Sequence, residues 1–231
     1  MGSTRLPGKV LMKAGPQTFL QILLKQISYS KRIDQVIIAT TTSSQDDQIV
    51  QACEEAGVTV FRGSEHNVLE RYFLAAKQHD LDVVVRITSD CPLIDPYLAD
   101  EMITFFHAHQ DRYDLVTNRH PLTFPDGLDV DVMKFSGLKD AFEHATTDRQ
   151  KEHVIPYFWE EGKKVYNFEC AEQLFEKYRW TLDYEEDASM IRYIVTEMPV
   201  EESSPFRYEK IIRFLEARND WQEINQTYVG K

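Results

Sequence analysis

Apolar positions in the first 118 residues alternate between helical and strand spacing. The stretch QTFLQILLKQIS repeats apolar residues three and four apart, which predicts a helix with one buried face. Short β-branched runs such as QVIIAT, VTVF and DVVVRIT predict buried strands, and DLVTN is strand-like as well. Three further stretches, SQDDQIVQACEEAG, NVLERYFLAAKQH and DPYLADEMITFFHAH, predict helices between these strands. The alternation predicts an α/β domain built on a parallel, doubly wound sheet.

The pattern changes after residue 118. HPLTFPDGLDVDVMKF reads as a loop followed by a strand, and KKVYNFEC and EKYRWTLD read as further strands. Helices are predicted for FSGLKDAFEHA, RQKEHVIPYFWEEG, YEEDASMIRYIVTEM and FRYEKIIRFLEARN. We interpret this half as a substrate lobe that returns one strand to the main sheet. Because no linker or repeat interrupts the chain, we predict a single domain over residues 1–231.

Composition narrows the class of protein. A chain of 231 residues with 42% apolar residues suits one globular domain. No run approaches the roughly 18 apolar residues of a membrane span, and the start does not resemble a signal peptide. Three widely spaced cysteines do not form a disulfide framework or a paired metal motif. The net charge of −12 disfavours a nucleic-acid partner. We therefore expect a cytoplasmic protein that binds neither membrane nor nucleic acid.

The opening stretch MGSTRLPGK combines small residues, a Pro-Gly turn, Arg5 and Lys9. Residues 1–33 hold six Lys and Arg residues and no carboxylate, whereas all 38 Asp and Glu residues follow them. Loops of this composition bind phosphates at the carboxyl end of a buried strand. We interpret Arg5 and Lys9 as an anion site and the later basic residues of this segment as a solvated helix face.

Carboxylates follow two of the predicted strands. Asp90 in ITSDCPLID and Asp183 in RWTLDYEED stand where hard-metal ligands of an open α/β sheet lie, and both also fit ordinary helix caps. In FPDGLDVDV, Asp129 and Asp131 are two residues apart and share one face of a strand. An Asp-x-Asp pair chelates metal in many glycosyltransferases, and a solvent-facing strand edge explains the same pattern.

Two further stretches carry polar groups that suit a ligand. RGSEHNVLERY offers hydroxyl, amide and guanidinium groups that could bind a base or ribose. The alternative is a simple turn between a strand and a helix, with Asn67 as the helix cap. KEHVIPYF contains His153, which is a structural residue or a base. Cys91 lies beside Asp90, but no basic neighbour in sequence marks it as a nucleophile.

Five of these stretches occur together and in a known order. MGSTRLPGK, FRGSEHNVLERY, VVVRITSDCPLIDP, FPDGLDVDV and EHVIPYF resemble the spore-coat polysaccharide biosynthesis F-type proteins, over nearly the whole chain to about Ile194. Those proteins belong with the cytidylyltransferases that activate keto-deoxy-octulosonate and the neuraminates. The resemblance implies a three-layer nucleotide-diphospho-sugar transferase fold with a mostly parallel, doubly wound sheet. It also implies Mg²⁺-dependent transfer of CMP from CTP to a sugar, with release of pyrophosphate, in cell-surface or spore-coat polysaccharide synthesis.

The same resemblance implies roles for single residues. Arg5, Lys9 and Asp90 are the implied catalytic residues, and Asp90 and Asp183 are the implied Mg²⁺ ligands. The implied nucleotide-binding residues are Gly2, Ser3, Thr40, Thr41 and Arg71. The implied sugar-binding residues are Asp126, Asp129, Glu152 and His153. Residues 1–118 would then form a nucleotide-binding half, 119–198 a sugar-binding half and 199–231 a helical tail, and a homodimer is common in the wider family.

The resemblance also implies a strand that is absent here. Family members place an apolar strand before the opening loop, whereas this chain begins inside that motif. Loss of such a central strand exposes two ladder edges and leaves a groove in the core. The resulting loss of stability is large compared with a total free energy of unfolding of roughly 5–15 kcal/mol. We therefore expect a fold that lacks its first strand, and Met1 to be an internal methionine of a longer protein.

Two other functions fit part of the sequence. A metal-dependent glycosyltransferase would use Asp129 and Asp131 with a nucleotide-sugar and would release a nucleoside diphosphate instead of pyrophosphate. An inactive, truncated copy would serve only as a binding protein. The opening loop favours the cytidylyltransferase, because a bound triphosphate best explains Arg5 and Lys9.

Overall fold

The computed structural model describes residues 1–201, 203–218, 221 and 224–230. The strands are β1 (Lys13–Ala14), β2 (Gln17–Thr18), β3 (Ile37–Thr41), β4 (Thr59–Gly63), β5 (Val83–Arg86), β6 (Leu115–Thr117), β7 (Asp131–Lys134) and β8 (Val165–Asn167). The α-helices are α1 (Phe19–Ile27), α2 (Asp47–Glu55), α3 (Val68–Gln78), α4 (Pro96–His109), α5 (Phe135–His144), α6 (Asp148–His153), α7 (Pro156–Glu160), α8 (Glu185–Glu197) and α9 (Tyr208–Glu216). The predicted α/β class is therefore confirmed.

The main strands form two separate sheets. β3 and β4 pair in parallel, with Ile38 opposite Val60. The second sheet has the order β5-β7-β6-β8, in which β7 runs antiparallel to both neighbours and β6 runs parallel to β8. β5, β6 and β8 consequently share one direction, and β7 alone opposes it. β7 and β8 both come from the second half of the chain, so two strands join this sheet where one was predicted.

A break separates the two sheets. The described partner of β3 is β4, and that of β5 in the ladder is β7, so each strand has an edge without a described ladder partner. The residues of both edges line one cavity of about 530 Å³. The main sheet of the predicted fold is thus divided between β3 and β5 among the described residues.

Side-chain caps fix the starts of the helices that carry the site. Thr18 and Gln21 form a capping box at α1, and Asn67 accepts a hydrogen bond from the Glu70 amide, as predicted. Asp95 accepts from the amides of the first turn of α4, with Pro96 at the first helical position. These caps therefore fix the residues at which α1, α3 and α4 begin.

Two predicted elements are wrong. EKYRWTLD is not a strand, because Arg179 alone forms a bridge, to Asp126, and its guanidinium turns to buried carboxylates. RQKEHVIPYFWEEG is two helices, because Val154 adopts φ 69° and ends α6. Asn219, which closes the last predicted helix, lies outside the described residues.

The core is formed by apolar faces that pack on both sheets. Its largest fully buried side chains include Trp180, Phe19, Phe106 and Phe158. Within the described part of the chain, no helix has the length and apolarity needed to cross a bilayer.

Candidate active site

The opening loop (residues 1–9) lies over the carboxyl ends of the strands. Gly8 adopts φ 70°, a left-handed conformation that favours glycine, and the chain then enters a short 3₁₀ helix at Lys9–Leu11. The Ser3 hydroxyl accepts a hydrogen bond from the Leu6 amide across the turn. The loop therefore has a defined shape that presents Arg5 and Lys9 to the sheet.

Lys9 joins two carboxylates that are 93 positions apart in sequence. Its Nζ lies 3.0 Å from Asp183 Oδ1 and 3.3 Å from Asp90 Oδ2. Arg5 lies on the outer side of the same group, 2.7 Å from Asp183 Oδ2, and stacks over the Tyr184 ring. We call Lys9, Asp90 and Asp183 the Lys9 centre. The predicted catalytic residues and predicted metal ligands thus meet at one point.

Backbone contacts hold the two carboxylates together. The Leu182 amide donates to the Asp90 carbonyl at 2.8 Å, and the Thr181 hydroxyl lies 3.4 Å from the same oxygen. Asp183 is the residue after Leu182, so it lies beside Asp90. Burial opposes ionisation of Asp90, but the Lys9 ammonium and a hydrogen bond from Thr88 hold its pKa below the usual value.

Arg179 organises the carboxylates behind the centre. Its guanidinium binds both oxygens of Asp187, at 2.9 and 3.1 Å, and it also reaches Asp126 and Asp183. Asp187 is fully buried. Its carboxylate accepts hydrogen bonds from the amides of Asp183 and Tyr184, just before α8 begins. The helix start, the arginine and Asp183 therefore form one rigid unit.

The acidic residues of FPDGLDVDV have different partners. Burial and the charge of Asp129 raise the pKa of Asp126 to about 7, against the opposing effect of Arg179. Asp129 pairs with Arg119 at 2.8 Å, and Asp131 pairs with Arg86 at 2.8 Å inside the core. Since each member of the Asp129–Asp131 pair already faces an arginine, the structure does not favour this pair as a metal chelate.

The predicted nucleotide-binding residues surround the loop start. The Thr40 and Thr41 hydroxyls donate to Asp46, at 2.7 and 2.6 Å, and Asp46 also binds the Met1 ammonium. The threonine hydroxyls thus hold the loop. A Cβ on Gly2 would lie 3.2 Å from Glu65, which places Gly2 beside the connection between β4 and α3.

Arg71 lies in the first turn of α3, just after that connection, and is mostly buried. Its guanidinium donates to the Ser64 carbonyl, while its Nε is buried without a hydrogen-bond partner. Burial lowers the pKa of Arg71, although neighbouring charges oppose the shift. This arginine retains capacity to bind an anionic ligand.

The remaining predicted sugar-binding residues lie on a separate element. Glu152 and His153 are exposed at the end of α6, and their side chains make no hydrogen bond or ion pair with the described residues. Val154, the next residue, is β-branched and holds a positive φ, which is a strained conformation. The structure thus does not bring this pair into contact with the Lys9 centre.

The Lys9 centre fits a Mg²⁺ ion by its chemistry. Mg²⁺ takes one or two protein carboxylates and completes its shell with phosphate oxygens and waters. Asp90 and Asp183 already converge on one cationic group. Among the residues that the structure describes, no group of three or more His, Cys, Asp and Glu side chains is arranged as a metal site. The centre therefore suits a metal that arrives with a phosphate ligand.

Sequence reasoning missed Arg179, Arg119 and Asp46 as parts of the site. Each acts through an ion pair or hydrogen bonds that the chain pattern does not reveal. The available signal was an arginine between Tyr178 and Trp180 in a stretch that reads as a strand. All three cysteines are buried, and burial raises the pKa of Cys91, in agreement with its rejection as a nucleophile.

Comparisons with known proteins agree with this geometry. The family described as cytidylyltransferase matches residues 1–226. The spore coat polysaccharide biosynthesis protein SpsF of Bacillus subtilis is 36% identical over 202 residues, which cover 83% of this chain and 81% of that protein. An uncharacterized protein of Methanocaldococcus jannaschii is 40% identical over 79% of this chain and 74% of its own length.

Solved structures show the same relationship. A cytidylyltransferase from Leptospira borgpetersenii has a TM-score of 0.88 and 32% identity, covering 94% of this chain and 90% of that one. A CMP:2-keto-3-deoxy-manno-octonic acid synthetase has a TM-score of 0.65 at 14% identity, covering 86% and 95% of the two chains, and shows a shared fold. Together with the family match, these findings establish that the chain is a nucleotidyltransferase and belongs to the cytidylyltransferase family.

Proposed function

We propose that this enzyme transfers CMP from CTP to a sugar hydroxyl and releases pyrophosphate. The observation that carries the proposal is the convergence of Asp90 and Asp183 on Lys9, with Arg5 beside them. The spore-coat relative supports a role in cell-surface or spore-coat polysaccharide synthesis.

Arg5 and Lys9 have the charge and position to bind the triphosphate. Nucleotidyl transfer places negative charge on the leaving pyrophosphate, so fixed cations lower the barrier more than a protein nucleophile does. Arg5 is about half exposed at the mouth of the loop, whereas Lys9 is mostly buried. We assign Arg5 to the outer phosphates and Lys9 to the phosphate that lies nearest the two carboxylates.

Asp90 and Asp183 would hold Mg²⁺. When bound, the ion neutralises phosphate charge and orients the triphosphate. Arg179 keeps Asp183 aimed at that position through their 3.4 Å contact and through Asp187.

We assign Asp126 as the general base that accepts the proton of the sugar hydroxyl. The new bond joins the sugar oxygen to the α-phosphorus, the bond from that phosphorus to the β-phosphate oxygen breaks, and the proton moves to the carboxylate. Asp126 shares Arg179 with Asp183, which places it at the same centre, and a pKa of about 7 suits a base near neutral pH.

The test is a product analysis. The purified chain is incubated with Mg²⁺, α-labelled CTP and a set of acidic and neutral sugars, and both pyrophosphate and CMP-sugar are measured. The proposal predicts equal amounts of the two products, and their loss in Asp183→Asn. Release of CDP, or equal activity with UTP, ATP and GTP, would contradict it.

A further inference from the structure

The distal segment, which we define as Trp221 and residues 224–230, packs against the chain that leads into the active site. Trp221 is buried and stacks on the Tyr178 ring, with centroids 5.7 Å apart and an angle of 25° between the planes. Its indole nitrogen donates to the Leu215 carbonyl at 2.6 Å. The segment is therefore anchored directly beside Arg179, the residue after Tyr178.

Asn225 joins the same segment to the buried ion pair behind the Lys9 centre. Its side-chain amide donates to the Arg179 carbonyl at 2.9 Å and to Asp187 Oδ1 at 3.1 Å. Asn225 is itself buried, and buried polar groups depend on such partners, so this contact fixes the segment. The Tyr228 amide then donates to the Asn225 carbonyl at 3.0 Å, which places Tyr228 one short turn later.

Tyr228 stacks on Tyr184, the residue that follows Asp183. The two ring centroids are 4.0 Å apart, and the planes differ by 10°. The guanidinium of Arg5 lies over the same Tyr184 ring, with its carbon 5.1 Å from the ring centroid. One aromatic ring therefore contacts both the distal segment and the opening loop.

Arg5 has an ionic contact and an aromatic contact. The ionic partner is Asp183, at 2.7 Å, although the Arg5 side chain is about half exposed. In the proposed function Asp183 is also a Mg²⁺ ligand, so its carboxylate is shared between the ion and Arg5. The Tyr184 ring is the contact that does not involve the metal site. A flat ring suits the planar guanidinium and restricts its orientation.

We propose that Tyr228 is a positioning residue of the active site, which holds the Tyr184 ring in place and thereby orients Arg5 toward the outer phosphates of the nucleotide. The role of Arg5 in this inference rests on the proposed function, whereas the stack of the two tyrosines is a feature of the fold. Because Tyr228 acts through Tyr184 and Arg5, loss of its ring should weaken phosphate binding only while Arg5 is present.

The test uses the full chain and its variants Tyr228→Leu, Tyr228→Phe, Arg5→Met and the double variant Arg5→Met/Tyr228→Leu. Each is titrated calorimetrically with inorganic tripolyphosphate in the presence of Mg²⁺, and thermal unfolding checks that each is folded at the assay temperature. We expect Tyr228→Leu to raise the Kd roughly three- to tenfold, because an aromatic stack is lost. Tyr228→Phe keeps the stack and should keep the Kd. Thr227→Ala, at the exposed preceding position, is the matched control.

The double variant separates positioning from general damage. In the Arg5→Met background, Tyr228→Leu should leave the Kd nearly unchanged, because the residue through which it acts is already lost. An equal rise of the Kd with and without Arg5 would overturn the proposal. A Kd in Tyr228→Phe as weak as that in Tyr228→Leu would also overturn it, since the aromatic ring would then not be the supporting group.

A second measurement needs no nucleotide. In a chain labelled with ¹⁵N-arginine, the Nε–H signal of Arg5, assigned by its loss in Arg5→Met, reports the nearby Tyr184 ring. We expect this signal to move toward the value of a free arginine in Tyr228→Leu and to stay in place in Tyr228→Phe. A signal that Tyr228→Leu does not move would overturn the positioning role. Absence of CTP turnover in the unchanged chain, with the signal moving as expected, would contradict the proposed function instead.

Discussion

Lys9 occupies the position between two carboxylates where a metal ion would bind. Its ammonium lies within 3.3 Å of both Asp90 and Asp183. Asp90 and Asp183 would hold a divalent ion there in place of the Lys9 ammonium, and Lys9 would then bind a phosphate oxygen. We therefore expect Lys9 and the metal to exchange at one pair of carboxylates.

Lys9→Met tests this exchange directly. We expect the variant to bind Mn²⁺ about tenfold more tightly in the absence of nucleotide, or about 1.4 kcal/mol, because no ammonium competes for the carboxylates. We also expect kcat/KM to fall by roughly 10²–10³, because a phosphate-binding cation is lost. Mn²⁺ titration followed by electron paramagnetic resonance gives the first value. Lys13→Met, at an exposed lysine four residues later, is the control, and weaker Mn²⁺ binding in Lys9→Met would contradict the exchange.

Asp126 is predicted to set the pH dependence of the reaction. Its pKa is raised to about 7, so the carboxylate form that accepts a proton predominates only above that pH. kcat/KM should rise through pH 7 and level off above it. In Asp126→Asn this limb should disappear and the plateau should fall by about 10²-fold or more. If Asp126→Asn kept the rise of kcat/KM through pH 7, the base would be another group.

The sequence located the cationic and acidic residues of the centre but not the groups that position them. Lys9, Asp90 and Asp183 stand in stretches with recognisable composition. Arg179 and Asp46 bind partners 4 to 53 and 5 to 45 residues away, and no local pattern encodes those pairings. Long-range ion pairs need the folded chain before they can be assigned.

At the scale of the element, the start of α8 links the site to the core. Asp187 caps the helix, binds Arg179 through both oxygens and has no exposed surface. The three acidic residues of the first turn also suit the positive end of the helix dipole. Asp183 therefore depends on a structural residue that does not touch the substrate.

Asp187→Asn should separate this positioning role from general packing. Breaking a buried ion pair leaves Arg179 without its main partner. We therefore expect the free energy of unfolding to fall by about 3–5 kcal/mol. The Mn²⁺ affinity of the folded variant should fall as well, because Asp183 loses its fixed orientation. Glu186→Gln, at the exposed neighbour in the same turn, should change neither quantity. Full Mn²⁺ affinity in Asp187→Asn would show that Asp183 is held by other contacts.

Element prediction succeeded where pattern and caps agreed. α1 to α5 follow clear helical periodicity, and Asn67 caps α3 as its position predicts. Prediction failed at Arg179, where alternating polar and apolar residues suggested a strand, but the guanidinium instead pairs with buried carboxylates and the backbone forms a single bridge. It also failed at Val154, where a positive φ ends α6 before Pro156 can be accommodated. Tertiary contacts decided both cases.

At the scale of the whole molecule, the split sheet and the site are neighbours. The cavity between β3 and β5 shares Ile38, Ala39 and Ser89 with a smaller cavity that Gly8 and Lys9 also line. The sequence allowed a groove in the core to be expected, but its walls and volume required the structure. The division of the chain into a nucleotide-binding half, a sugar-binding half and a helical tail stays a prediction.

The most direct measurement is thermal unfolding with Mg²⁺ and, in turn, CTP, UTP, ATP and GTP. A ligand at a hundred times its Kd stabilises the folded chain by about 2.7 kcal/mol, which is roughly 5–10 °C for a chain of this size. The account predicts that CTP alone raises Tm, and that Asp183→Asn abolishes the rise. Cooperative unfolding that no nucleotide shifts would contradict the claim that the Lys9 centre binds CTP.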